Sequence, residues 1–116
     1  MTIGQDVAVP DSPYLPISGI ADVRGAVVAI DVLRAFSTAA YAFGAGARRL
    51  YLVGTVAEAL RFKAEHPGSL AMGEEHGLMP AGFDLPNSPV RAALADMEGR
   101  TVVQRTSNGT AGVVAV

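Results

Sequence analysis

Leu50-Tyr51-Leu52-Val53-Gly54-Thr55-Val56-Ala57-Glu58, with the residues that follow to Leu70-Ala71-Met72, decides the fold of this chain. Leu50–Val53 is an apolar run of strand length. Thr55 and Glu58 form a Thr-x-x-Glu capping box, which predicts a helix onward through about Ala64, before His66-Pro67 ends it. Leu70–Met72 reads as a short strand. A strand, a capped helix and a second strand make a βαβ unit, and strands joined by such a crossover run parallel.

The same alternation extends in both directions. Upstream, Ala26–Ile30 is a continuous apolar run, as expected of a strand buried on both faces. Ser37–Ala45 is Ala-rich and helical in character, with Gly46 as its stop. Asp6–Val9 alternates and is closed by Pro10, which suggests an edge strand; Pro10, Pro13 and Pro16 then punctuate a loop. Downstream, the sixteen residues Gly73–Ser88 show neither a helical nor an alternating period, and a loop of that length in a small domain is usually functional or disordered. Ser88 as N-cap and Pro89 at the first helical position open a helix that Gly99 closes. Thr101–Gln104 is the fourth main strand, and Thr110 is placed to cap a last helix. The expectation is an α/β fold, a mostly parallel sheet flanked by helices, in a single domain spanning residues 1–116.

Composition narrows the function. Half of the 116 residues are apolar and 17% are charged, as in a folded globular domain. A net charge of −2 without a basic stripe argues against nucleic acid as a partner. With no cysteine, neither a disulfide framework nor a thiolate metal site can form. No apolar run reaches the roughly 18–20 residues needed to span a bilayer, and Met1–Pro10 lacks the pattern of a signal peptide, so a cytoplasmic location is expected.

Three polar clusters stand at the downstream ends of apolar runs: Asp31–Arg34, Glu74 to Pro89, and Arg105–Thr110. In an open α/β sheet, ligands bind at the carboxyl ends of the strands. Asp31 taken alone reads first as a carboxylate capping the next turn; with Arg34 three residues on, a functional pair becomes an equal alternative, holding a metal by the carboxylate and a phosphate by the guanidinium fork. Glu74 and Glu75 repel each other unless solvated or neutralised, and with Asp84 they suggest Mg²⁺ ligation. Asn108-Gly109-Thr110 at a strand-to-helix junction is either an ordinary turn or an anion site built of backbone N–H groups. His76 reads as a loop histidine, because no second His stands at zinc spacing. His66 reads as a helix C-terminal residue. No P-loop, dinucleotide loop or Gly-x-Ser-x-Gly elbow is present.

Val28-Ala29-Ile30-Asp31-Val32-Leu33-Arg34-Ala35, Gly82-Phe83-Asp84-Leu85-Pro86-Asn87-Ser88-Pro89 and Thr106-Ser107-Asn108-Gly109-Thr110, in this order, resemble the 2-phosphosulfolactate phosphatase family of coenzyme M biosynthesis. The resemblance runs from about Val27 to the last residue, and the Gly-Phe-Asp-Leu-x-Asn-Ser-Pro stretch is its most distinctive part. It implies a layered α/β/α fold and a Mg²⁺-dependent phosphatase that hydrolyses a phosphorylated 2-hydroxy acid, releasing 3-sulfolactate and phosphate. The motif residues carried over are Asp31, Arg34, Glu74, Asp84, Asn87, Ser88, Thr106, Asn108 and Thr110. Their chemistry suggests Asp31, Glu74 and Asp84 as metal ligands, with Arg34 completing the catalytic set. Asn87, Ser88, Thr106, Asn108, Gly109 and Thr110 would bind substrate. Where the family pattern has Arg after the Gly-Glu pair, this chain has Glu75, which removes a cation from a site expected to hold two anionic groups.

Family members run past Val116, so the chain is expected to be the N-terminal portion of a longer phosphatase, with its fold incomplete at the C-terminus. Self-association or partial disorder is the expected consequence of the sheet face left bare. The competing readings are a non-catalytic module that binds phosphate or an acidic ligand, and a truncated scaffold.

Overall fold

The computed structural model describes residues 17–19, 23–31 and 33–115. The edge strand expected at Asp6–Val9 and the proline-punctuated loop to Pro16 lie outside them. After a 3₁₀ turn at Ile17–Gly19 come α1 (Ala35–Gly44), β1 (Arg49–Leu52), α2 (Val56–Glu65), β2 (Leu70–Gly73), β3 (Leu85–Pro86), α3 (Pro89–Leu94), β4 (Thr101–Arg105) and α4 (Gly109–Val114). The strands form one sheet in the order β1-β4-β2-β3, and every pairing is parallel.

The βαβ unit forms as its caps require. Thr55 Oγ1 accepts from Glu58 N at 3.1 Å, and the Glu58 carboxylate returns to Thr55 N at 2.8 Å, so two otherwise orphaned donors at the start of α2 are satisfied reciprocally. Although β1 and β2 are consecutive around α2, they are not neighbours. β4 lies between them, with Val102 opposite Leu50 on one side and Leu70 on the other.

β4 is therefore central and covered on both faces, and its alternation sorts the core. Val102 points into a cluster with Ala42 of α1, Met72, Leu85, Ala92 of α3 and Met97. Val103 points the other way, into a cluster with Ala59 of α2, Ala71 and Phe83. Helices thus cover both faces of the sheet, the layered α/β arrangement expected. Met72 and Met97 are fully buried, and truncating either to Ala would cost about 2–5 kcal/mol. Gln104, next on the Val102 face, is also fully buried and donates from Nε2 to Ala35 O at 2.8 Å. That bond fixes the first turn of α1 over the carboxyl end of β4.

Three expectations are corrected. Ala26–Ile30 has no ladder partner among the described residues, and Val28 and Ile30 are about two-thirds exposed, at 67% and 68%. An apolar β-branched run favours a pleated, half-buried surface, but it becomes a strand only where a sheet edge offers its free N–H and C=O groups. Helix α3 stops at Leu94 rather than near Gly99, because Ala95 turns extended and lets Met97 drop into the core. The segment Gly73–Ser88, expected as a loop without helical or alternating period, is not loop throughout. It holds a tight turn at Glu75–Leu78 and the two residues of β3. Among the described residues no helix is long and apolar enough to cross a membrane.

Candidate active site

All four strands are parallel, so their carboxyl ends share one edge of the sheet. A cleft of about 540 Å³ opens there. Its wall comes from four segments: Asp31, Leu33 and Arg34 before α1; Glu74, His76 and Gly77 after β2; Asn87 after β3; and Thr106–Gly109 after β4. The three motifs separated in sequence meet at this cleft.

Glu74 is the best-anchored of these side chains. It is buried, and Oε1 accepts from Ser107 N at 2.6 Å while Oε2 accepts from Gly77 N at 2.7 Å and Ser107 Oγ at 3.0 Å. Burial, the largest single influence, pushes its carboxyl up. The Ser107 and Gly77 N–H groups, the Ser107 hydroxyl and the Arg105 charge together outweigh burial and hold it below the usual 4.5. The local backbone makes this possible. Gly73 closes β2 at φ +146°, where a Cβ would run into Arg105 O. Only glycine lets the end of β2 approach β4 this closely.

Thr106 and Thr110 interlock rather than face a ligand. Thr106 N donates to Thr110 Oγ1 at 2.6 Å, Thr110 N to Thr106 Oγ1 at 3.0 Å, and the Thr110 hydroxyl to Thr106 O at 3.0 Å. Helix α4 begins at Gly109, so Thr110 is its second residue and not its cap, and Asn108 at the N-cap makes no side-chain capping bond. With Ser107 N spent on Glu74 and Thr110 N on Thr106, the N–H groups of this turn without a partner among the described residues are those of Asn108 and Gly109. Gly109 has helical backbone; its need for glycine is steric. A Cβ there would overlap Asp31 Oδ2 and the Ala35 methyl.

Two buried oxygens on the wall are unsatisfied: Asp31 Oδ1 and Asn87 Oδ1 have no hydrogen-bond partner among the described residues. Such orphans are rare in native folds and call for a cation, a donor or water. Arg34 lines the same cleft, exposed and without an ion pair among the described residues.

Asp84 is not brought to the cleft. It lies one residue before β3, accepts Ala71 N at 2.8 Å through Oδ2 and pairs with Lys63 of α2 at 2.8 Å through Oδ1. Both carboxylate oxygens are thus committed on the α2 side of the sheet. Ser88 also faces away; its Oγ accepts Arg91 N at 3.3 Å and caps α3. Asp31, Glu74 and Asp84 therefore do not converge, and among the described residues no three acidic or histidine side chains form a metal-binding group. Glu75 pairs with Arg105 at 3.6 Å and does not line the cleft. Its acidic charge therefore lies off the cleft wall.

A family model for 2-phosphosulpholactate phosphatase matches residues 16–116. The chain belongs to this family. It is 45% identical over 82 residues to a Bacillus subtilis protein named "Probable 2-phosphosulfolactate phosphatase", covering 71% of this chain and 36% of that one. Relatives of the same name from Thermus thermophilus and Deinococcus radiodurans are 46% and 44% identical, over 72% and 83% of this chain and 35% and 39% of their own. The chain spans a little over a third of the length of the curated relatives it matches.

Within this family member, four cleft residues lie outside the set that sequence reasoning singled out, Leu33, His76, Gly77 and Ser107, and two of them carry polar side chains. Ser107 was passed over because its role, as donor to Glu74, is set by a residue 33 positions away. His76 was dismissed for lack of a zinc partner, a test blind to a histidine that lines a cleft without binding metal. The signal that could have found it is the dipeptide His76-Gly77, one residue beyond the motif Glu74 across Glu75, a turn signature close to a site residue.

Proposed function

We propose that this chain carries the phosphate-binding part of a phosphatase that hydrolyses a phosphorylated 2-hydroxy acid, 2-phospho-3-sulfolactate, to 3-sulfolactate and phosphate, with Mg²⁺ as cofactor and in the cytoplasm. The observation that carries the reading is the pair of buried oxygens without partners among the described residues, Asp31 Oδ1 and Asn87 Oδ1, in one cleft with Arg34, which makes no ion pair among them. The names of the relatives supply the substrate.

The donor set fits Mg²⁺ in a revised form. Mg²⁺ is commonly held by one or two carboxylates together with substrate phosphate and several waters, so Asp31 with Asn87 suffices. Glu74 is not needed, since both its oxygens already accept N–H groups. When bound, the ion would supply Lewis-acid polarisation of a phosphoryl oxygen.

The chain's own groups do the rest. The Arg34 guanidinium offers a planar fork matched to two phosphate oxygens and neutralises charge on them. The Asn108 and Gly109 N–H groups donate to the same anion. Phosphoryl transfer depends on positioning and charge stabilisation more than on covalent chemistry, so the fixing of these groups by Glu74, Thr106 and Gln104 is part of the function.

The test is phosphate release from 2-phospho-3-sulfolactate with and without Mg²⁺, alongside calorimetric titration of Mg²⁺ in the presence of inorganic phosphate. Turnover that needs Mg²⁺, and that Asp31→Asn lowers by roughly 10²-fold or more as loss of an electrostatic group does, is expected. Phosphate binding without turnover would favour the non-catalytic module instead. Mg²⁺ affinity unchanged in Asp31→Asn would remove the ligand set.

A further inference from the structure

We infer that the His76–Gly77 turn selects the substrate, with the His76 ring meeting the second acid group of the phosphate ester. The inference rests on the phosphatase reading above and assigns a residue to a task that reading leaves open. Phosphate needs Arg34, the Asn108 and Gly109 N–H groups and the cation-holding oxygens, none of which comes from this turn.

The geometry singles out His76. Glu75 N donates to Leu78 O at 2.8 Å and Leu78 N to Glu75 O at 3.1 Å, closing a two-residue hairpin turn. Its central residues have φ of +50° at His76 and +83° at Gly77. A turn of that hand takes Asn, Asp or Gly at both positions because they tolerate left-handed backbone. Histidine there suits the turn less well than glycine, so the turn itself does not call for the ring, and a residue other than glycine at positive φ is uncommon enough to invite a functional reading.

The turn is also held rigidly to the floor of the cleft, by backbone alone. Gly77 N donates to Glu74 Oε2 at 2.7 Å, and His76 N donates to Ser107 Oγ at 3.1 Å. The ring makes no hydrogen bond among the described residues, and His76 is one of the residues that line the cleft. A side chain without a hydrogen-bond partner among the described residues, on an anchored base at the wall of the same cleft, is available to read the rest of the substrate. An imidazole N–H donates to a carboxylate or sulfonate oxygen in either protonation state, so the assignment depends on position rather than charge.

His76→Gly tests it, since glycine suits the turn better than histidine and the variant keeps its fold. With 2-phospho-3-sulfolactate, kcat/KM should fall about tenfold, mostly through KM, as loss of one hydrogen bond to a charged group predicts. With phenyl phosphate, which has no second acid group, it should change less than about twofold. Equal losses on both substrates would mean a structural role, and no loss on either would mean none; both overturn the inference. A second readout works without turnover. The chain has only two histidines, so the His76 ring resonances can be followed by NMR while His66 serves as control. They should shift with the ester and not with inorganic phosphate. If the wild-type chain hydrolyses neither ester, the phosphatase reading fails by itself; an ester-specific shift would still support His76 as the reader of the second acid group, and its absence would overturn it.

Discussion

Glu74 and Ser107, at the carboxyl ends of neighbouring strands, are joined twice: Ser107 N donates to Oε1 at 2.6 Å and Ser107 Oγ to Oε2 at 3.0 Å. Through this pair the turn after β2 and the turn after β4 become one rigid wall. A carboxylate that reads as a metal ligand in sequence thus acts as a brace in the fold.

Glu74→Gln should separate these roles. The amide cannot accept at both ends, so at least one buried N–H, of Ser107 or Gly77, loses its partner at a cost of about 1–3 kcal/mol. The acid limb changes too. The folded carboxyl lies below the usual 4.5, so its stabilisation is fully present above that value and is lost as pH falls through the lower, folded one. Glu58, held low by the Thr55 hydroxyl and N–H, acts in the same direction. Urea denaturation from neutral pH down to about pH 3 should show a shallower loss in Glu74→Gln than in wild type. Parallel curves would mean that Glu74 is not charged through these bonds.

Gly109→Ala sets two effects of opposite sign against each other. In an open helix, alanine is better than glycine by about 1 kcal/mol. Here the added methyl meets Asp31 Oδ2 and Ala35, and overpacking typically costs about 1–3 kcal/mol. The clash wins, so the variant should be less stable and bind phosphate more weakly as Asp31 is pushed aside. Gly44, the last residue of α1, has nothing within 4 Å of its added methyl and is the control; Gly44→Ala should be neutral or stabilising by thermal melting. A stabilised Gly109→Ala would show that Asp31 does not pack there.

Much of the frame was legible because local and tertiary signals agree in it. The Thr55–Glu58 box, the Ser88-Pro89 start and the central strand at Thr101 each form where the pattern places them. Ala26–Ile30 was misread because its apolar run says nothing about whether a sheet edge is free. Asp84 stands apart from the cleft for a related reason. Motif membership places it near Asn87 in sequence, but strand alternation sends side chains three residues apart to opposite faces. Lys63 of α2, its actual partner, is 21 positions away.

Asp84→Asn should accordingly weaken the fold more than any ligand affinity. The Lys63 pair is about one-third exposed, at 32% and 31%, and exposed pairs contribute about 0–1 kcal/mol. The bond to Ala71 N survives through the amide oxygen. Chemical denaturation should register a loss of about 1 kcal/mol or less, with Mg²⁺ and phosphate affinities unchanged by calorimetry. A large loss of Mg²⁺ affinity would return Asp84 to the site.

Arg34 carries the sharpest prediction about phosphate. It precedes α1, where its carbonyl accepts Thr38 N at 2.8 Å and Ser37 Oγ at 3.0 Å, so the backbone that presents the guanidinium is fixed independently of the side chain. Arg34→Ala should leave thermal stability nearly unchanged, because the side chain is exposed and makes no ion pair among the described residues. Loss of a hydrogen-bonded charge of this kind costs about 1.5–3 kcal/mol, which corresponds to roughly 10–150-fold weaker phosphate binding. Arg34→Lys should recover only part of it, since a point charge cannot reproduce a two-pronged fork. Calorimetric titration of inorganic phosphate into the three proteins, at low and high ionic strength, gives the comparison directly. Full recovery by lysine would mean that charge alone is used, and wild-type affinity in Arg34→Ala would place the anion elsewhere in the cleft.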